Sequence, residues 1–162
     1  MREILFRGKA VNLHNGSKDF VYGQYVQNRD GKIIYSDTWE KGIQKHYVIE
    51  ETVGQYTGLT DRNGTKIYEG DILRYFVWGS YECFAVVRIG EYEQDGSGDE
   101  YPAIKICGVY AEVQRYCPLI KEDGDYFPEY LMKSSLFEIG KDVFELVGNI
   151  HDNPELLKGG EG

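Results

Sequence analysis

Basic charge is in short supply in this chain of 162 residues: 18 Lys and Arg face 27 Asp and Glu, for a net charge of −9. The deficit is local. Residues 1–50 hold 8 basic and 6 acidic side chains (+2), residues 51–75 hold 3 and 4 (−1), and residues 76–162 hold 7 and 17 (−10). An acidic surface of that kind repels phosphate backbones and leaves no basic cluster for a nucleic-acid interface in the C-terminal half. Histidine is scarce, with three copies far apart, and no G-x-S-x-G occurs, so no nucleophile-and-base constellation is written in the sequence. The three cysteines, Cys83, Cys107 and Cys117, are odd in number and form no C-x-x-C pair. That excludes a zinc ribbon or a disulfide framework and points to reduced thiols. No apolar run is long enough to span a membrane, and the opening Met1-Arg2-Glu3-Ile4-Leu5-Phe6-Arg7 is not a signal peptide. The expected location is therefore a cytoplasm. Without export, the acceptor patterns Asn15-Gly16-Ser17 and Asn63-Gly64-Thr65 mean only turns.

Glycine (20), tyrosine (14) and phenylalanine (7) are plentiful. Aromatic residues favour half-buried strands and glycine favours turns, so the composition leans to β. Strands are predicted over Ile4–Val11, Phe20–Gln27, Lys32–Tyr35, His46–Ile49, Gln55–Thr57, Ile72–Trp78, Tyr81–Ile89, Ala103–Tyr110 and Val143–Val147. Gly23 inside the second of these signals a bulge or a close backbone approach. Hairpin turns are expected at Asp30-Gly31, Asn63-Gly64 and Gly79-Ser80. Residues 91–100 read as an acidic loop, and Pro128 can open a short helix through Met132. At the end, Asn153 as N-cap and Pro154 at the first helical position predict a short helix that must dock Leu156 and Leu157 on the body.

The metal readings fail on geometry. His46 and Glu50 share a face of an extended segment but sit roughly 13 Å apart along it. Asp61-Arg62-Asn63-Gly64 starts like a calcium loop, yet its twelfth position is Ile72 rather than a glutamate. Asp95-Gly96-Ser97-Gly98-Asp99 precedes no helix and cannot cradle phosphate. No cofactor and no metal are expected, and the chain reads as a non-enzyme, a hydrolase of unseen motif being the most distant alternative.

Three stretches carry a family likeness: Met1-Arg2-Glu3-Ile4-Leu5-Phe6-Arg7-Gly8, the turn-rich segment from Thr52 to Leu73, and Val147-Gly148-Asn149-Ile150-His151-Asp152-Asn153-Pro154-Glu155-Leu156-Leu157. Together they resemble the YopX family of phage and prophage proteins. The resemblance implies a mostly β protein working in a bacterial cytoplasm, and it brings no catalytic residue. Gly70-Asp71-Ile72-Leu73 is similar to the strand start of small SH3-like barrels, a likeness of fold alone. The expected architecture is mainly β with minor α: one domain over 1–162 with an SH3-like or small-barrel core. It divides into an N-terminal β part (1–50), the signature segment and hairpin (51–90), a variable acidic insert (91–142), and a C-terminal strand and short helix (143–158).

Function is expected at surfaces. Tyr offers apolar area and a hydroxyl at low entropic cost. Tyr92, Tyr101, Tyr110, Tyr116, Tyr126 and Tyr130 are candidate contact residues, though strands also use Tyr on half-buried faces. Asn149 and His151, beside Asp152, form the one polar cluster inside a signature; they bind a ligand, act as an acid-base pair, or close a turn before the last helix. The leading expectation is a protein-binding or self-assembling module, with a host or phage protein or a second copy as partner. The runner-up is a nucleic-acid-associated β-barrel module using the near-neutral N-terminal half. An acidic DNA-mimicking inhibitor is the third.

Overall fold

A computed structural model describes residues 4–11, 19–29, 31–38, 40–94, 103–119, 127 and 131–158. The chain is mainly β, as expected, and forms two compact units, Met1–Gly58 and Leu59–Gly162.

The first unit is an antiparallel sheet. Strands β2 (Phe20–Asn28), β3 (Gly31–Thr38) and β4 (Gly42–Tyr47) make a meander, and β1 (Phe6–Lys9) bridges β2 to β5 (Gly54–Thr60). The hairpin forms, but not with Asp30-Gly31 as its loop: Gly31 pairs with Asn28 as the first residue of β3, so the reversal falls one residue earlier; Asp30 itself lies outside the described residues. Because side chains alternate, register sorts the residues by face. Phe6, Gly8, Tyr25, Ile34 and Val48 pack inward. The Phe6 and Tyr25 rings are 5.4 Å apart, and Ile34 is fully buried. A Cβ on Gly8 would lie 3.1 Å from the Val48 Cβ, so packing there is close. Tyr22, Gln24, Val26, Tyr35, Asp37, Ile43, Lys45 and Tyr47 lie on the outer face. A 3-10 turn over Glu50–Thr52 leads into β5, held by the Thr52 hydroxyl, which accepts from the Lys9 N–H at 2.8 Å.

Past Gly58, β5 runs on to Thr60 and takes β6 (Lys66–Tyr68) as neighbour. The second unit's own sheet has the order β10-β9-β8-β7-β11, from β7 (Asp71–Val77), β8 (Tyr81–Gln94), β9 (Ile104–Pro118), β10 (Lys133–Ser135) and β11 (Glu145–Asn149). One face of β7, β8 and β9 carries Leu73, Tyr75, Cys83, Ala85, Val87, Val109, Ala111 and Val113. Phe127, Leu136 and Phe144 cover it to make the core. Leu136 opens α1 (Leu136–Ile139), where the Ser135 hydroxyl accepts from the Phe137 N–H.

Several expectations are corrected. Neither sheet closes on itself among the described strands, so the SH3-like or small-barrel closure does not form. β6 and β10, three residues each, are too short to show a period. β9 runs to Pro118 rather than stopping at Tyr110, because pairing with the whole length of β8 extends it. The β7–β8 loop has three residues, Trp78-Gly79-Ser80, since Val77 pairs with Tyr81. The final helix is a single 3-10 turn, Pro154–Leu157, without a side-chain cap. The Asn153 side chain is engaged elsewhere: its Oδ1 accepts from the Asn149 N–H at 3.3 Å. Leu156 and Leu157 are half-buried, and this turn packs against β8. Truncation after Asn153 should therefore cost about 2 kcal/mol, two half-buried leucines on the usual transfer scale. A urea midpoint no different from that of the full chain would contradict this.

Candidate functional site

The residues singled out from sequence fall into different environments. Tyr92 is 4% exposed, its ring stacked on Tyr110 at 4.5 Å and its hydroxyl donating to Gln94 Oε1 at 3.3 Å. Burial pushes its phenol above the ordinary value, with a hydrogen bond to Ser135 working the other way. Gln94 in turn donates to Glu138 Oε2 at 2.7 Å. This chain of contacts braces the β8–β9 hairpin on α1, so Tyr92 is a structural residue. Tyr110 is half-buried beneath the same stack. Tyr116 is 44% exposed, with its ring stacked on Phe127 at 4.5 Å and edge-on to Tyr81 at 6.3 Å. Tyr101, Tyr126 and Tyr130 lie outside the described residues.

Asn149 closes a turn. Its Oδ1 accepts from the N–H groups of His151 and Asp152, both at 3.0 Å, and its Nδ2 donates to Asp152 Oδ2 at 3.0 Å. Asn149 and Asp152 are thus spent on backbone geometry, and His151 is half-buried at the turn. Across β3 and β4, folding brings together Ser36 Oγ and His46 Nε2 at 2.9 Å, a pair not foreseen from sequence. Among the described residues no carboxylate holds the other ring nitrogen, so the pair lacks the orienting group a nucleophilic serine needs. The Cys83 thiol is fully buried and pushed up to about 12, by burial first and then by Cys117 and Glu82. It is inert as a nucleophile. Among the described residues no group of three or more His, Cys, Asp or Glu is placed to hold a metal.

One arrangement with capacity for recognition sits at the β7–β8 turn. Trp78 has φ = 52°, and no other described residue except glycine has a positive φ. The turn is fixed by the Ser80 N–H donating to the Val77 carbonyl at 3.0 Å, and the Leu119 N–H donating to the Ser80 carbonyl at 2.8 Å. Trp78 is 64% exposed. Beside it lies an open groove of about 330 Å³ lined by Tyr75, Phe76, Val77, Leu131, Ile139 and Val143, with Ser134 and Glu138 as its polar members. Phe76 and Val143 are partly exposed as well, at 42% and 44%. The sequence places Trp78 at the end of a strand; the usable signal was an aromatic residue directly before Gly-Ser in a loop, where nothing in a core calls for it.

A family model described as YopX protein matches residues 9–100, which run from the end of β1 through β8. No curated protein matches. Among solved structures, the crystal structure of protein EF1440 from Enterococcus faecalis is similar over 98% of this chain and 100% of that one, at 19% identity and a TM-score of 0.45. No helix among the described residues is long and apolar enough to cross a membrane.

Proposed function

Because the chain belongs to the YopX family, we propose that it is a non-enzymatic accessory protein of a phage or prophage. It works in the bacterial cytoplasm by binding another protein, or a further copy of itself, through the Trp78 groove. The observation that carries this reading is the conformation of Trp78. A bulky residue at positive φ costs on the order of 1 kcal/mol relative to glycine, and here it goes with a side chain 64% exposed. Neither feature serves the core. Both suit a partner, because tryptophan is among the residues enriched at interface anchors.

The test separates stability from binding. Trp78→Gly relieves the backbone and should leave the urea midpoint unchanged or raise stability by up to about 1 kcal/mol. The same variant should weaken the protein's association, with the partner captured from a bacterial lysate or with itself, by at least about tenfold, as loss of an anchor worth about 2 kcal/mol does. Association that survives Trp78→Gly undiminished would remove the reading.

A second reading has its own observation. The outer face of the first unit exposes Tyr22 and Tyr47 beside Lys45, whose Nζ lies 4.7 Å from the Tyr47 ring centroid. Lys9, half-buried on that face, has its Nζ 5.4 Å from the Phe20 ring centroid. Rings interleaved with cations suit single-stranded nucleic acid. Binding of a labelled oligonucleotide that falls steeply with salt would favour this reading over the first.

A further inference from the structure

Resting on the protein-binding reading, we infer that the Trp78 groove takes a basic segment of its partner, an apolar anchor flanked by Lys or Arg. Among the described residues, the groove's lining holds one charged side chain, the carboxylate of Glu138, and no cation. Glu138 is fixed by the amide of Gln94 at 2.7 Å, and a neutral amide orients the carboxylate without cancelling its charge. Glu82 lies directly across from Phe76 in the β7–β8 register, but Arg74 balances its charge, which leaves Glu138 as the groove's carboxylate. The nearest cation along β7, Arg74, is spent on Glu82 at 3.7 Å and Glu145 at 3.1 Å.

Three features therefore converge on one chemistry. The apolar walls from Phe76, Ile139 and Val143 accept an aliphatic or aromatic anchor. The exposed indole face of Trp78 attracts an ammonium or guanidinium. The −10 charge of residues 76–162 draws a basic segment in from a distance and turns an acidic one away.

The experiment uses the full chain carrying Trp39→Phe, which leaves Trp78 as the sole tryptophan. The probes are a nine-residue peptide alternating leucine with arginine and its counterpart with glutamate in place of arginine, followed by indole emission. The arginine peptide should shift the emission and saturate at micromolar concentration in about 50 mM salt. It should bind about tenfold more weakly at 500 mM salt, and Glu138→Gln should weaken it about threefold. The glutamate peptide should leave the emission unchanged. Equal binding of both peptides overturns the inference but leaves the protein-binding reading standing. So does silence from both peptides when Trp78→Gly still costs the protein its association. A labelled arginine peptide that binds Trp78→Gly as tightly as the parent is held by diffuse charge, which also overturns the inference. Silence from both peptides with association indifferent to Trp78→Gly sinks both readings together.

Discussion

Gly23→Ala is expected to unfold the first unit, or to cost it about 4 kcal/mol or more. At Gly23 strand β2 leaves its ladder with β1 (Phe6 opposite Gly23) and joins β3 (Gln24 opposite Tyr35). A Cβ there would lie 2.0 Å from the Tyr35 carbonyl oxygen and 2.7 Å from its carbon. The obstacle is backbone, which cannot swing aside as a side-chain end can. Relief requires β2 and β3 to separate. Overpacking usually costs 1–3 kcal/mol, and a backbone collision in a paired strand belongs at or beyond the top of that range. Gly108→Ala on β9 is the control, since a Cβ there meets nothing within 4 Å. Circular dichroism in urea should show the Gly23→Ala transition shifted far below that of Gly108→Ala. Coincident transitions would mean that the close approach is absent. Two compact units can also unfold separately, so a biphasic curve whose first phase alone moves is the most specific outcome.

The second large effect is expected at Asp61, which is buried to 3% exposure in the turn between β5 and β6. Its Oδ1 accepts from the N–H groups of Asn63 at 2.9 Å and Thr65 at 2.8 Å. Its Oδ2 accepts from the Leu146 N–H at 3.2 Å and from Asn63 Nδ2 at 3.3 Å. One carboxylate therefore shapes a turn and ties it to β11. Asp61→Ala strands these donors and should cost about 3–5 kcal/mol, since bonds to a charged group are worth about 1.5–3 kcal/mol each and are not additive. The pH dependence has a definite sign. Burial pushes the carboxyl up, but the bonds from Thr65, Leu146 and Asn63 outweigh it, so the folded value lies below the ordinary 3.8. The stabilisation is then fully present above pH 3.8 and is lost as pH falls through the lower folded value. Urea midpoints measured against pH should fall in acid for the parent. Asp61→Asn, which cannot ionise, should lack that share of the slope. Parallel curves for the two proteins would show that the carboxylate does not carry it.

Much of this architecture is legible in the sequence because turn chemistry is local. Asn63-Gly64 and Gly79-Ser80 announce reversals through φ values that few other residues tolerate, and Gly23 announces a close approach. The unreadable parts depend on contacts distant in sequence. Asp61 looks like a turn residue, and its bond to Leu146, 85 positions away, exists only in three dimensions. Tyr92 and Tyr116 are the same residue type on neighbouring strands, yet one lies under α1 and the other faces water. No period in the sequence separates them, because the cover over Tyr92 comes from residues 135–138. The candidate groove has the same character. Its walls come from β7, α1 and residues 131–143, while the sign of φ at Trp78 is a property of the closed turn rather than of tryptophan.

The sheet order β10-β9-β8-β7-β11 also sets a schedule. Every pair in the first meander joins strands adjacent in sequence, but β7 must wait for β11, since Arg74 pairs with Glu145, 71 residues later. At a synthesis rate of roughly 5–20 residues per second, that wait is about 4–14 s. Throughout it the β7 edge lies bare, and the carboxylate of Asp61 has yet to meet the Leu146 amide. A nascent chain of this protein is thus at its most vulnerable, to chaperones and to stray strands alike, while β7 still awaits β11.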